Sequence, residues 1–182
     1  VLLMENADPI LEPRQFEEWY ERGLRIVGPA WAGTRYAGGT GNPGPLTKLG
    51  YELLNVMADF KAILDLSHLA EEACLQALDH YDGTIIASHS NPRTFRNTDR
   101  HLTDTMIRKL AERDGVMGIV LYNRFLSDDW ASGDPKSKIP LSRVIDAIDY
   151  VCQLTGSAQH VGIGTDFDGG FGQESIPEDL DT

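Results

Sequence analysis

Two apolar runs that each end on a histidine, Ile63-Leu-Asp-Leu-Ser-His68 and Thr84-Ile-Ile-Ala-Ser-His-Ser90, constrain this chain more than any other feature. A short run of aliphatic and β-branched residues reads as a strand buried on both faces, and the polar residues that close it read as the start of a loop. Parallel α/β sheets gather their active sites at the carboxyl ends of their strands. Two imidazoles at two such ends, on neighbouring strands, predict a paired-histidine metal site.

The same pattern recurs along the chain, with strands predicted at residues 1–5, 24–28, 62–66, 84–88, 116–122 and 160–165. Amphipathic segments separate them. Phe16, Trp19 and Tyr20 share a helical face before Gly23, and Leu49, Leu53, Val56, Met57 and Phe60 form a stripe after a Thr47 cap. Cys74, Leu78 and Tyr81 make a third face. Met106, Ile107, Leu110 and Ala111 lie between Thr103 as N-cap and Gly115 as the residue past the C-cap, and Val144, Ile145, Ile148, Val151 and Cys152 follow Ser142. Strands alternating with helices imply right-handed crossovers and a parallel sheet with both faces covered. Six such units fit either a small doubly wound sheet or an eight-stranded barrel without its first two strands. The Gly- and Pro-rich stretch 29–45 and the stretch 127–140 are too long for simple crossovers, so they are expected to be lids, binding loops or disordered segments.

With 182 residues, 41% of them hydrophobic, the chain can bury a core of its own, and one domain covering 1–182 is expected. It opens on a strand-like run without an initiator methionine and closes on an acidic tail, so both ends read as cut. A net charge of −12 repels nucleic acid and anionic membrane alike and leaves a small molecule as the partner. No apolar run is long enough to cross a bilayer, and no leader precedes the first strand; a soluble, cytoplasmic protein is expected, with a homodimer allowed. Cys74 and Cys152 lie inside apolar helical patterns and are expected to be buried thiols rather than a disulfide or zinc thiolates.

Glu5, His68, His89 and Asp166 all fall at or just past a predicted strand end, where a parallel barrel converges its side chains on one cavity. Imidazole and carboxylate donors suit Zn²⁺ or a similar first-row dication. Asp65, Ser67, Ser88 and Ser90 beside the histidines either orient the imidazoles or simply form loops. His80, His101 and His160 are expected not to be ligands. Arg93, Arg96 and Arg100 trail His89, where one guanidinium can clamp a substrate carboxylate while the others are solvated.

Taken together, Asp65-Leu-Ser-His68, Ser88-His-Ser-Asn91, Arg100 and Gly162-Ile-Gly-Thr-Asp-Phe-Asp-Gly169 resemble the membrane dipeptidase (renal dipeptidase) family of zinc peptidases, amidohydrolases with a (β/α)₈ TIM barrel. The resemblance runs from Glu5 nearly to the end. It implies that Glu5 bridges two zinc ions, that His68 and His89 hold the second, that Arg100 binds the terminal carboxylate of a dipeptide, and that Asp166 shuttles a proton for a metal-activated water. Three positions depart from the family. The His-x-Asp pair that the family's first barrel strand brings to its first zinc site is expected upstream of Val1, the His-x-Asp at His80-Tyr81-Asp82 falling at a helix end; Trp31 stands near where the family often has a histidine thought to polarise the scissile carbonyl; and His101 replaces a common asparagine. A zinc-dependent dipeptidase-type hydrolase is therefore the expected function. A non-catalytic relative or fragment with an incomplete metal centre, or a metal-dependent hydrolase of another small amide or ester, is the alternative.

Overall fold

Six parallel strands form one sheet in which each strand lies beside the one before it in the chain, and that order decides the architecture. The computed structural model describes residues 1–180. The sheet strands are β1 (Leu2–Glu5), β2 (Leu24–Gly28), β5 (Ile63–Asp65), β6 (Ile85–Ala87), β7 (Val116–Ile119) and β8 (Val161–Ile163); a two-stranded antiparallel sheet, β3 (Ala37–Gly39) with β4 (Asn42–Leu46), stands apart. A doubly wound sheet reverses its strand order at a switch point, whereas a barrel is wound in one direction. This sheet never reverses, as a (β/α)₈ barrel requires. Among the described residues its two outer strands have a neighbour on one side only, and Leu2, Leu3 and Ile163 are exposed there.

Helices α1 (Phe16–Glu21), α2 (Lys48–Asp59), α3 (Glu71–His80), α4 (Asp104–Glu112), α5 (Asn123–Leu126) and α6 (Ser142–Thr155) fill the connections. Thr47 Oγ1 accepts the Gly50 N–H at 3.0 Å and Thr103 Oγ1 the Met106 N–H at 3.4 Å, so both predicted caps start their helices. Each long helix turns its apolar stripe to the sheet: Leu53, Leu54 and Met57, then Cys74 and Leu78, then Met106, Ile107 and Leu110 are buried in one continuous core. At the end of α4 the left-handed residue is Asp114 (φ 54°), not Gly115 as the sequence suggested. Gly115 is small because of crowding, since a Cβ there would come within 2.2 Å of a Leu110 methyl.

The stretch 29–45 is not an irregular lid but holds the β3–β4 hairpin, turned at Gly41 with φ 70°. Stretch 127–140 likewise carries a core anchor, Trp130, which is fully buried and donates its indole N–H to the Pro135 carbonyl. Both long connections are thus tied to the body. At the strand ends the backbone is packed so closely that a Cβ at Gly118 or Gly164 would lie 2.1 or 2.0 Å from the Ser88 carbonyl oxygen. Glycine at these two positions lets the neighbouring strands close on Ser88, which fixes the height at which His89 leaves the sheet.

Candidate metal centre

Glu5 is the last residue of β1, His68 follows β5, His89 follows β6 and Asp166 follows β8. All four rise from the same end of the sheet. Glu5 Oε1 stands 2.9 Å from His68 Nε2 and 2.9 Å from His89 Nε2, and the three donor atoms lie within 4.8 Å of one another. The chain bends sharply to achieve this: Asn6, His68, Asp166 and Asp168 all occupy the left-handed region, with φ of 94°, 68°, 54° and 65°. Asn, Asp and His are the non-glycine residues that enter this region most often, and such backbone conformations gather at functional sites.

Hydrogen-bond bookkeeping shows which imidazole nitrogens face the cluster as lone pairs. The Asp65 carboxylate, 1% exposed, accepts the Ser67 N–H at 3.0 Å, the Ser88 N–H at 2.9 Å and the Ser88 hydroxyl at 2.5 Å. Ser88 has one hydroxyl proton and gives it to Asp65, so at the 2.7 Å contact with His89 Nδ1 the imidazole must donate. Thr40 Oγ1 lies 3.1 Å from His68 Nδ1, and with that nitrogen as the donor the lone pair of the neutral ring is on Nε2. In neutral rings both Nε2 atoms are then bare. Two nitrogen lone pairs and a carboxylate oxygen aimed at one another repel unless a positive charge sits between them, and a divalent cation meets that demand with an N₂O donor set. The residues present therefore fit a metal ion, with coordination positions left for other ligands.

With protons on the two Nε2 atoms, hydrogen bonds from His68 and His89 hold the Glu5 carboxyl well below the usual carboxylate range; with those nitrogens bare, a cation takes the place of the protons. Burial lowers the pKa of His68, against the pull of Glu5, and keeps it in the form that can ligate. Burial raises the Asp166 carboxyl above its ordinary value, although the positive groups around it pull the other way.

Beyond the cluster opens a cleft of about 400 Å³ whose walls include Trp31, His68, Arg100, Phe125 and Asp166. Arg100 is 6% exposed; its guanidinium donates to Ser90 Oγ at 3.1 Å and to the His89 carbonyl at 2.8 Å, with Phe125 below it at 5.6 Å. Burial lowers its pKa to about 10, so it stays charged at neutral pH. Of the other two arginines that trail His89, Arg93 pairs with Glu71 at 2.7 Å and Arg96 with Asp128 at 3.4 Å. His80 bonds Asn55 at 2.8 Å and His160 the Gly115 carbonyl at 3.1 Å, both away from the cluster. His101 is fully buried, with Nδ1 2.7 Å from the Arg96 carbonyl and its ring edge-on to Phe125.

Two site contacts escape a reading of the sequence. Thr40 reaches His68 only because the β3–β4 hairpin carries it there, and the one signal for that hairpin is Thr40-Gly41-Asn42 between short runs. Trp31 lies over His68, ring centroids 5.3 Å apart and planes 27° apart. No sequence pattern announces such a stack.

Residues 1–181 match the family described as membrane dipeptidase, peptidase family M19. The chain belongs to the membrane dipeptidase family. A metallopeptidase of Rhodobacter sphaeroides, solved with a phosphinate mimic of the dipeptide L-Ala-D-Ala, superposes with a TM-score of 0.85 at 27% identity, over 98% of this chain and 51% of that one. A protein of the pqqA 5′ region of Klebsiella pneumoniae is 34% identical over 93% of this chain and 63% of its own length, and a dipeptidase of Schizosaccharomyces pombe is 28% identical over 86% and 38%. The chain thus spans between about a third and two thirds of the lengths of these relatives. Among the described residues no helix is long and apolar enough to cross a membrane.

Proposed function

We propose that Glu5, His68 and His89 hold a divalent cation, zinc by their donor set, and that the cleft beside them hydrolyses the peptide bond of dipeptides. The observation that carries this reading is the convergence of two Nε2 lone pairs on Glu5 Oε1, each at 2.9 Å, at the mouth of a cleft containing a buried arginine. Zinc bound there supplies Lewis acidity, which polarises a carbonyl and brings the pKa of water near neutrality.

The chain's own residues do the rest. Arg100 receives the free carboxylate of the substrate; two of its five N–H donors are committed to Ser90 and His89, which hold the guanidinium still and leave the others for the ligand. Asp166 takes the proton released when water adds to the carbonyl and returns it to the leaving amine. Its raised pKa suits both halves of that transfer, because a carboxylate of higher pKa is a better base and its acid form lasts long enough to donate. Glu5, His68 and His89 would supply a three-donor set for one ion; donors for a second would have to come from elsewhere, because the His-x-Asp at His80-Tyr81-Asp82 lies away from the cluster, with His80 bonded to Asn55.

A second reading, hydrolysis of another small amide or ester, is favoured by one observation: Trp31 covers His68 near where the family often places a histidine, and an indole donates only a neutral N–H. Substrate profiling separates the two. Zinc-loaded protein is expected to cleave dipeptides and to spare their C-terminal amides. Arg100→Ala should cost about 1–3 kcal/mol in kcat/KM for the free-carboxylate substrates. Equal turnover of acids and amides by the parent protein overturns the dipeptidase reading in favour of the second.

A further inference from the structure

Three arginines line the cleft, and two of them are engaged: Arg100 by Ser90 and His89, Arg96 by Asp128. The third, Arg124, has no hydrogen bond, ion pair or aromatic partner among the described residues. Several other cations of the chain, which carries 28 acidic against 16 basic residues, pair with carboxylates, as in Arg35 with Asp8, Lys109 with Asp79 and Arg143 with Asp146; Arg124 does not. The backbone beneath Arg124 is anchored in the core on both sides. Asn123 is fully buried and donates to the Ile176 carbonyl at 2.9 Å, while Leu126 closes the short helix α5 in the core. An uncompensated guanidinium on a fixed mount, facing a cleft of ligand size, is a preformed anion site.

Its place indicates which anion. Arg124 and Arg100 line the same cleft, and Phe125, the residue after Arg124, lies 5.6 Å from the Arg100 guanidinium. Tyr122 and Phe171, stacked at 4.5 Å with planes 10° apart, add a flat apolar surface to the cleft. Side-chain methylenes can lie on it while their carboxylate reaches the cation, and the apolar surroundings strengthen the ion pair. We infer that Arg124 is a specificity residue that selects dipeptides with an acidic side chain on the residue whose terminal carboxylate Arg100 holds. This rests on the dipeptidase reading above.

Phosphinate dipeptide mimics that differ only in their second side chain, aspartyl or asparaginyl, test it by calorimetry on the zinc-loaded protein. The aspartyl mimic is expected to bind about tenfold more tightly than its neutral isostere, the scale of one charge-assisted pair. Arg124→Gln should bring the ratio close to one, and Arg124→Lys should keep most of it. Equal affinities in the parent protein, or a ratio that survives Arg124→Gln, overturn the inference while leaving the dipeptidase reading intact. Failure of both mimics to bind removes the dipeptidase reading, and this inference with it.

Discussion

Ser88 Oγ lies 2.7 Å from His89 Nδ1, and because the hydroxyl spends its proton on Asp65 it can only accept from the ring. The serine thereby fixes the tautomer of an imidazole proposed to hold the metal. Ser88→Ala removes that acceptor but leaves Asp65 its two backbone donors, Ser67 N–H and Ser88 N–H, so the fold is expected to persist. Outer groups of this kind commonly support metal affinity by about 10–100-fold, and Ser88→Ala should lose that much in a zinc competition titration. Ser88→Thr, which keeps the hydroxyl, should recover most of it. An unchanged zinc affinity in Ser88→Ala would show that the tautomer needs no such support.

Asp166 combines a left-handed backbone, φ 54°, with a carboxyl whose pKa burial has raised. Asp166→Asn should lower kcat by about 10²–10⁴-fold, the range for a lost general acid or base, while zinc stays bound. The acid limb of the kcat/KM profile should vanish with it. Stability should move the opposite way from activity. A buried acid with a raised pKa penalises the folded state once it ionises, so its cost appears as pH rises through that pKa and is absent below 3.8. The amide variant is therefore expected to melt no lower than the parent at pH 7, by calorimetry. A marked drop in melting temperature would assign Asp166 a structural role instead.

His101 gives the chain an acid-sensitive core. Burial brings its pKa down from 6.5 to about 4, and its ring stays neutral between Arg96 and Phe125. Above pH 6.5 neither the folded nor the unfolded chain binds a proton at this site. As pH falls toward 4 the unfolded chain takes one up and the folded chain does not, so stability is lost through that window. The full difference amounts to about 3 kcal/mol. His101→Gln retains a donor for the Arg96 carbonyl but does not titrate, and denaturant unfolding should show a shallower loss of stability from pH 6.5 to 4. Parallel pH dependences for the two proteins would mean that His101 already titrates normally.

The six sheet strands and the long helices were legible because each buries an aliphatic run or stripe, and burial leaves a periodic mark in sequence: β2 spans Leu24–Gly28 as expected, and α2 follows Thr47. Strand ends proved shorter, as in β7, which stops at Ile119 where the apolar run continues to Tyr122, because apolar loop residues also pack inward at the cleft. The convergence of Glu5, His68 and His89 follows from strand order alone once the sheet is parallel. The hairpin was not legible. Its strands are built from glycine, proline and alanine, carry almost no side-chain alternation, and are held by backbone pairing and by contacts such as Gly41 N–H to Asp99 at 2.7 Å. Contacts between residues distant in sequence, such as Thr40 with His68, leave no local trace for the same reason.

Trp31 is half-exposed, yet its indole is stacked on the imidazole of His68 at 5.3 Å. A ring so exposed contributes little to the core, so its removal should scarcely change the melting temperature. It does restrain the His68 ring, whose own backbone is left-handed, with φ 68°, and whose Nδ1 has a 3.1 Å contact with Thr40 to steady it. Aromatic pairs of this type contribute about 0.5–1.5 kcal/mol beyond simple burial, which amounts to roughly a two- to tenfold change in a binding constant. Trp31→Ala should weaken zinc binding by that factor, and Trp31→Phe, which preserves a flat face, should weaken it less. Because the stack acts on His68 and not on His89, the loss should disappear when both proteins are compared in a His68→Ala background. A penalty for Trp31→Ala that persists in that background would place the indole's effect somewhere other than the imidazole beneath it.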